Sequence, residues 1–142
     1  MAELTSNQVC NICCIHYNAG LRCCALGSLV EGGYLFAKQG GLAWIVACSS
    51  RQVSRAWASR ADAVTVAQAS NACGNWFIPS RIDLLMGHDC KGYWDSYNNA
   101  AYWSSTEYYS SNAHVVAFYG GHLYNASRST TFCVRAFRTV SY

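Results

Sequence analysis

The chain has 142 residues, a net charge of +3, 12% charged residues and 52% apolar residues on a broad count. A chain of this size suits one domain with a short appendage. Its low charge argues against intrinsic disorder, and the absence of any Lys/Arg run argues against nucleic-acid binding. The longest apolar stretch, residues 42–48, is too short to span a bilayer, and Met1-Ala2-Glu3 opens on an acid where a secretory signal would carry basic residues. The expectation is synthesis in a cytoplasm without membrane insertion.

Residues 1–31 differ in character from the rest. They hold Cys10, Cys13, Cys14, Cys23 and Cys24, five of nine cysteines. Four thiols beside His16 would suit tetrahedral zinc, but adjacent cysteines are poor zinc spacers. The segment is read as an attachment or assembly element, with no metal and no cofactor. Cys48, Cys73, Cys90 and Cys133 are scattered through the rest. An odd total leaves at least one thiol free or bonded between chains under oxidising conditions, and in a reducing cytoplasm buried thiols behave as small hydrophobes.

A second unit, residues 32–142, begins at Gly32-Gly33. Tyr34 to Ala37 predicts a strand, Gln39-Gly40-Gly41 a hairpin turn, and Leu42 to Ala47 a buried strand. Ser59 to Gly74 predicts the main helix, with capping-box spacing between Ser59 and Asp62. Ala63, Val66, Ala67, Ser70 and Cys73 form its small-residue face. After Trp76-Phe77-Ile78-Pro79, Ser80 caps a short helix, Arg81 to Met86, with Asp83 three positions on and Gly87 as the stop. Tyr102 to Ser105 starts a strand. Ala113 to Tyr119 is the next, Gly120-Gly121 a turn, His122 to Asn125 its partner, and Phe132 to Val140 the last. The fold class is α+β: one main and one short helix on a small, twisted, mostly antiparallel sheet.

In that order, Gly74-x-Trp76-Phe77-Ile78-Pro79-Ser80, Asp83-Leu84-Leu85, Tyr102-Trp103-Ser104-Ser105-Thr106-Glu107 and Val134-Arg135-x-Phe137-Arg138 resemble the C-type-lectin-like domains of bacterial collagen-like adhesins and phage virion proteins. Formylglycine-generating enzymes and the phage major tropism determinant share the broader fold. The resemblance covers about residues 32–140. It implies first and last strands lying close together and long loops over one face.

Calcium-dependent sugar binding in that fold uses carboxylate–amide pairs such as Glu-Pro-Asn, and this chain has none; its one proline follows Ile78. His16, His88, His114 and His122 are too dispersed for a Ser/His/Asp grouping, and His88-Asp89-Cys90 reads as polar loop. The formylglycine-type relatives use a cysteine pair near the end of the domain, where only Cys133 lies here, so no catalytic residue is assigned.

The polar, aromatic stretch from Tyr108 to Arg128 stands out. Tyr108, Tyr109, Asn112, His114, Tyr119, His122, Tyr124, Asn125 and Arg128 make a paratope-like composition, in which tyrosine gives rigid contact area and short polar side chains give adaptable hydrogen bonds. In the phage tropism determinant the corresponding region contacts the receptor. The two loops flanking Gly120-Gly121 are expected to bring these residues together at one end. Trp44, Trp76 and Trp103 are read as core, Trp57 and Trp94 as possible exposed aromatics, and Arg135 or Arg138 as a partner for Asp83 or Glu107.

These readings point to a non-catalytic phage virion protein, a tail-fibre or receptor-binding module with adhesin character. It would act with other virion proteins and copies of itself and contact a host surface protein or glycan. The alternatives are a decoration or cement protein of capsid, tail or fibre, and a small formylglycine-generating-type enzyme.

Overall fold

The computed structural model describes residues 25–30, 32–69 and 74–141. Cys10, Cys13, Cys14, Cys23, Cys24, His16, Ser70 and Cys73 lie outside the described residues, and with them the assembly and zinc readings. Among the described residues the architecture is mixed α and β, with two open sheets and two short α-helices.

The first sheet has the order β1 (Leu29–Val30), β2 (Gly33–Gln39), β3 (Leu42–Ala47), β9 (Phe137–Ser141), all antiparallel. Gly40 and Gly41 take φ of 58° and 81°. Two successive left-handed residues build the tight hairpin turn whose twist matches the flanking strands. Within β2 the register slips between Leu35 and Ala37, so Phe36 is an extra residue opposite β3. Leu35 and Phe36 bury on opposite faces, as strand alternation dictates: Leu35 joins the cluster of Ile45 and Trp76, Phe36 that of Trp94 and Phe137. The bulge shifts the pairing of the residues that follow. β3 lies between β2 and β9 and is an almost unbroken apolar run, as a strand covered on both faces requires.

The second sheet has the order β4 (Val53–Arg55), β8 (Phe132–Val134), β5 (Ala101–Tyr108), β6 (Asn112–Ala117), β7 (His122–Ser127). The β5–β8 contact is parallel and the others are antiparallel. Opposite β6, β5 carries an irregularity between Trp103 and Glu107. The hydroxyl cluster fills it. Ser104 Oγ donates to His114 O at 2.8 Å and accepts from Thr106 N at 3.1 Å; Ser105 N donates to Pro79 O at 2.9 Å; Thr106 Oγ1 accepts from Arg81 N at 3.0 Å. These bonds stand in for the ladder bonds lost at the bulge, so Ser104 can be fully buried.

The expected single strand from Phe132 to Val140 is two strands. Between Val134 and Phe137 the chain leaves the second sheet for the first, and Arg135 marks the crossing. Only 1% exposed, Arg135 donates Nε to Ala47 O at 2.8 Å and its terminal nitrogens to Ser96 O and Asp95 Oδ1, with the guanidinium 4.9 Å from the Trp94 ring centroid. Its partner is therefore Asp95. Asp83 instead accepts from Ser80 N, and Glu107 faces Arg128 at 3.9 Å. Arg138 Nε donates to Gly74 O at 2.6 Å.

The main helix, α1 (Asp62–Ala69), starts later than its capping-box spacing predicts. Asp62 is engaged by Arg55 Nε at 2.9 Å, and Trp57–Ser59 form a separate 3₁₀ turn. Ala63 and Ala67 face the core as expected. The second helix, α2 (Arg81–Asp89), has the full Ser80–Asp83 capping box but runs through Gly87. A Cβ on Gly87 would lie 2.8 Å from Phe137 Cζ and 3.0 Å from Trp94 Cζ2. This glycine permits close approach of helix and core and does not act as a stop.

Trp103, Trp76, Trp57 and Trp94 are buried and Trp44 is half-buried. Trp57 and Trp94, which the sequence left open between core and surface, are thus core residues. Trp57 Nε1 donates to Ser104 O at 2.9 Å, and Trp94 stacks among Phe36, Tyr102, Phe118 and Phe137. Cys48 and Cys133 are buried and Cys90 is half-buried.

Candidate recognition surface

The β5–β6 hairpin ends in a three-residue loop, with Tyr108 opposite Asn112. Tyr109 opens that loop at φ 53° and is 80% exposed. Left-handed backbone is costly for a bulky residue, so something must hold it. Arg128 does. Its Nη2 donates to Tyr109 O at 2.5 Å, its Nε to Asn112 O at 3.0 Å, and its backbone N to Ser111 O at 3.0 Å. The Tyr109 ring meets the Tyr108 ring edge-on at 4.7 Å, and Tyr108 meets the His114 ring at 5.2 Å. Asn112 Nδ2 donates to Asn125 Oδ1 at 2.7 Å across the β6–β7 pair.

His114 sits at the edge of this group. Arg81 Nη1 lies 3.1 Å from its Nε2. A guanidinium only donates, so Nε2 accepts and Nδ1 carries the proton. Among the described residues, buried Nδ1 has no partner. Burial lowers the His114 pKa and Arg81 lowers it further, which favours the neutral ring.

Six of the nine predicted residues, Tyr108, Tyr109, Asn112, His114, Asn125 and Arg128, therefore form one tip. The other three are elsewhere. Tyr119 and His122 flank the turn at the far end of β6 and β7, roughly 17 Å away for strands of this length. Tyr124 pairs with Val115 and lies on that residue's face of the sheet, opposite to His114, where it packs against the cluster that holds Val115. The expectation of a single end fails because a hairpin turn and the turn after it lie at opposite ends of their shared strand.

Sequence reasoning missed the tip's cationic flank. Arg60 and Arg128 lie over the Trp57 ring, 3.5 and 4.3 Å from its centroid. Burial lowers the Arg60 pKa, Glu107 opposes this and Arg128 adds to it; the group remains a cation at neutral pH. With Arg81 on the other side, three guanidiniums surround the tip and Glu107 is the carboxylate among them. Arg60 and Arg128 are 68 residues apart in sequence, and no local spacing signals that both reach Trp57.

Tyr119 and Tyr124 line a separate cleft of about 430 Å³ on the second sheet. No group of three or more metal-ligating side chains is found among the described residues, and no described helix is long and apolar enough to cross a membrane. Neither protein-family models nor curated proteins match the chain.

Proposed function

We propose that the chain is a non-catalytic recognition module of a bacteriophage virion, with a C-type-lectin-like fold, that contacts a host surface ligand through the Tyr108–Tyr109 tip. Support for the fold comes from the antiparallel pairing of β3 with β9, which places early and late strands side by side, and from the helices and second sheet that follow the order of the resembling motifs. The virion setting rests on that sequence resemblance. Residues 1–31 would dock the module to other virion proteins or to copies of itself.

The observation that carries the reading is Tyr109. A large aromatic side chain is held out in solvent on a left-handed backbone by three Arg128 contacts. Fold stability alone favours glycine or asparagine there. The surrounding guanidiniums favour a ligand with acidic groups. Tyr109→Ala should leave the melting temperature nearly unchanged and weaken adsorption of particles to host cells about tenfold, or about 1.4 kcal/mol. Unchanged adsorption by a folded variant on intact particles would refute the reading.

One observation favours the decoration alternative. β7 is a sheet edge with no charged residue and no proline from His122 to Ser127, so it lacks the usual protection against pairing with another copy. A particle image in which β7 edges pair and the tips are covered would select that reading.

A further inference from the structure

The cleft bearing Tyr119 and Tyr124 is separate from the tip, and its lining is chemically uniform in one respect: no charged side chain contributes to it. The walls carry Ser54, Asn99, Tyr119, Tyr124 and Thr131, all neutral groups able to donate and accept hydrogen bonds. Ala101 and Phe132 supply apolar surface. Its volume of about 430 Å³ falls within the roughly 300–1,000 Å³ of small-molecule sites.

The lining comes from four places in the chain. β4 supplies Ser54, the loop before β5 supplies Asn99, the β6–β7 turn supplies Tyr119, and the loop before β8 supplies Thr131. Much of the frame beneath is fixed. Trp103 Nε1 donates to Arg55 O and Thr130 O, tying β4 and the loop before β8 to β5. Asn98 Nδ2 donates to Cys133 Sγ at 3.1 Å, and Asn98 N to the Tyr102 hydroxyl at 2.9 Å, which anchors the loop bearing Asn99. Such a frame is preorganised, so little ordering cost attends binding. Burial raises the Tyr124 pKa and the adjacent Tyr119 adds to it, which keeps the phenol protonated and able to donate.

A charged ligand would enter this cleft without a counter-ion, and a purely apolar one would strand five polar side chains. The chemistry that satisfies both walls and floor is a neutral ring carrying several hydroxyl groups. We propose that this cleft binds a neutral saccharide, one or two pyranose units of a surface glycan, without a metal ion. The proposal rests on the reading of the domain as a recognition module and adds to it a second contact, remote from the tip.

The test uses the full chain on an array of neutral and acidic glycans, with and without a chelator, and then titration with the free neutral sugar of the best responder. Binding of neutral glycans, unchanged by the chelator and weakened at least tenfold by Tyr119→Ala and by Asn99→Ala, is the expected result. Both side chains are exposed, so the variants should keep the wild-type melting temperature. Tyr109→Ala should bind the same glycans as wild type. Absence of neutral-glycan binding, loss of binding on chelation, or full binding by folded Tyr119→Ala and Asn99→Ala would overturn the proposal. If neutral glycans fail while Tyr109→Ala still reduces adsorption, the cleft assignment falls and the tip reading stands; if neither effect is seen, both fall.

Discussion

Replacing Arg135 with Met probes the joint between the two sheets. Met fits the space left by the aliphatic stem but donates nothing. Three donated bonds are lost, to Ala47 O, Ser96 O and Asp95 Oδ1, with the guanidinium–Trp94 contact. Breaking a buried pair by removing one partner costs about 3–5 kcal/mol, mainly through the charge left behind. The Asp95 side chain is 17% exposed and keeps its 2.8 Å bond from Ser49 N, so partial rehydration places the cost near the lower limit, about 3 kcal/mol. Denaturant unfolding at neutral pH measures it. Arg135→Met combined with Asp95→Asn should cost less than the sum of the single changes, because no carboxylate is then stranded. Burial alone would raise the Asp95 pKa, but the Ser49 backbone N–H and the Arg135 charge hold it below the usual carboxylate value. The pair's contribution is therefore fully present above about pH 3.9, the ordinary aspartate value, and fades as pH falls through the lower folded value. Asp95→Asn should flatten that acid limb. A cost below about 1 kcal/mol for Arg135→Met, or strict additivity in the double variant, would refute the clamp.

Trp103→Ala should cost about 3–5 kcal/mol, since a fully buried ring and its bonds to Arg55 O and Thr130 O disappear; a loss under about 0.5 kcal/mol in denaturant unfolding would mark it as a surface site. Gly87→Ala sets a helix-propensity gain of about 1 kcal/mol against a Cβ 2.8 Å from Phe137 in a closed core, where overpacking costs about 1–3 kcal/mol. The net should be destabilising, and a raised melting temperature would show that the core yields. Tyr109→Gly should stabilise by about 0.5 kcal/mol, relief of about 1–2 kcal/mol of left-handed strain being partly offset by glycine's entropy cost; calorimetry would reveal any loss instead.

Local signals served the sequence reading well where one short segment decides the outcome. Gly40-Gly41 dictated a hairpin, Ser80 with Asp83 dictated a cap, and the run from Leu42 to Ala47 marked a central strand. The errors arose where distant residues compete for a local feature. Asp62 pairs with Arg55 in place of its expected capping role, Gly87 is set by Phe137, and the last strand breaks at Arg135 because Asp95, Ser96 and Ala47 draw its guanidinium inward. β1 and β4 were missed because two- and three-residue strands have too few alternations to reveal a period. The tip followed from composition, but Trp57, Arg60 and Arg81 joined it only through folding, and the cleft draws on four separate stretches.

The pairing of β3 with β9 has a consequence for how the chain is made. Ala43 faces Val140 and Val46 faces Phe137, so the first sheet stays open until a strand translated roughly ninety residues later arrives. During that interval β3 offers one unpaired edge, and closing so large a loop is entropically slow, with only about 0.6 kcal/mol saved by halving its length. The nascent chain would therefore be most vulnerable to misassociation late in synthesis, and a holdase chaperone present in that window should raise the folded yield more than one added after release.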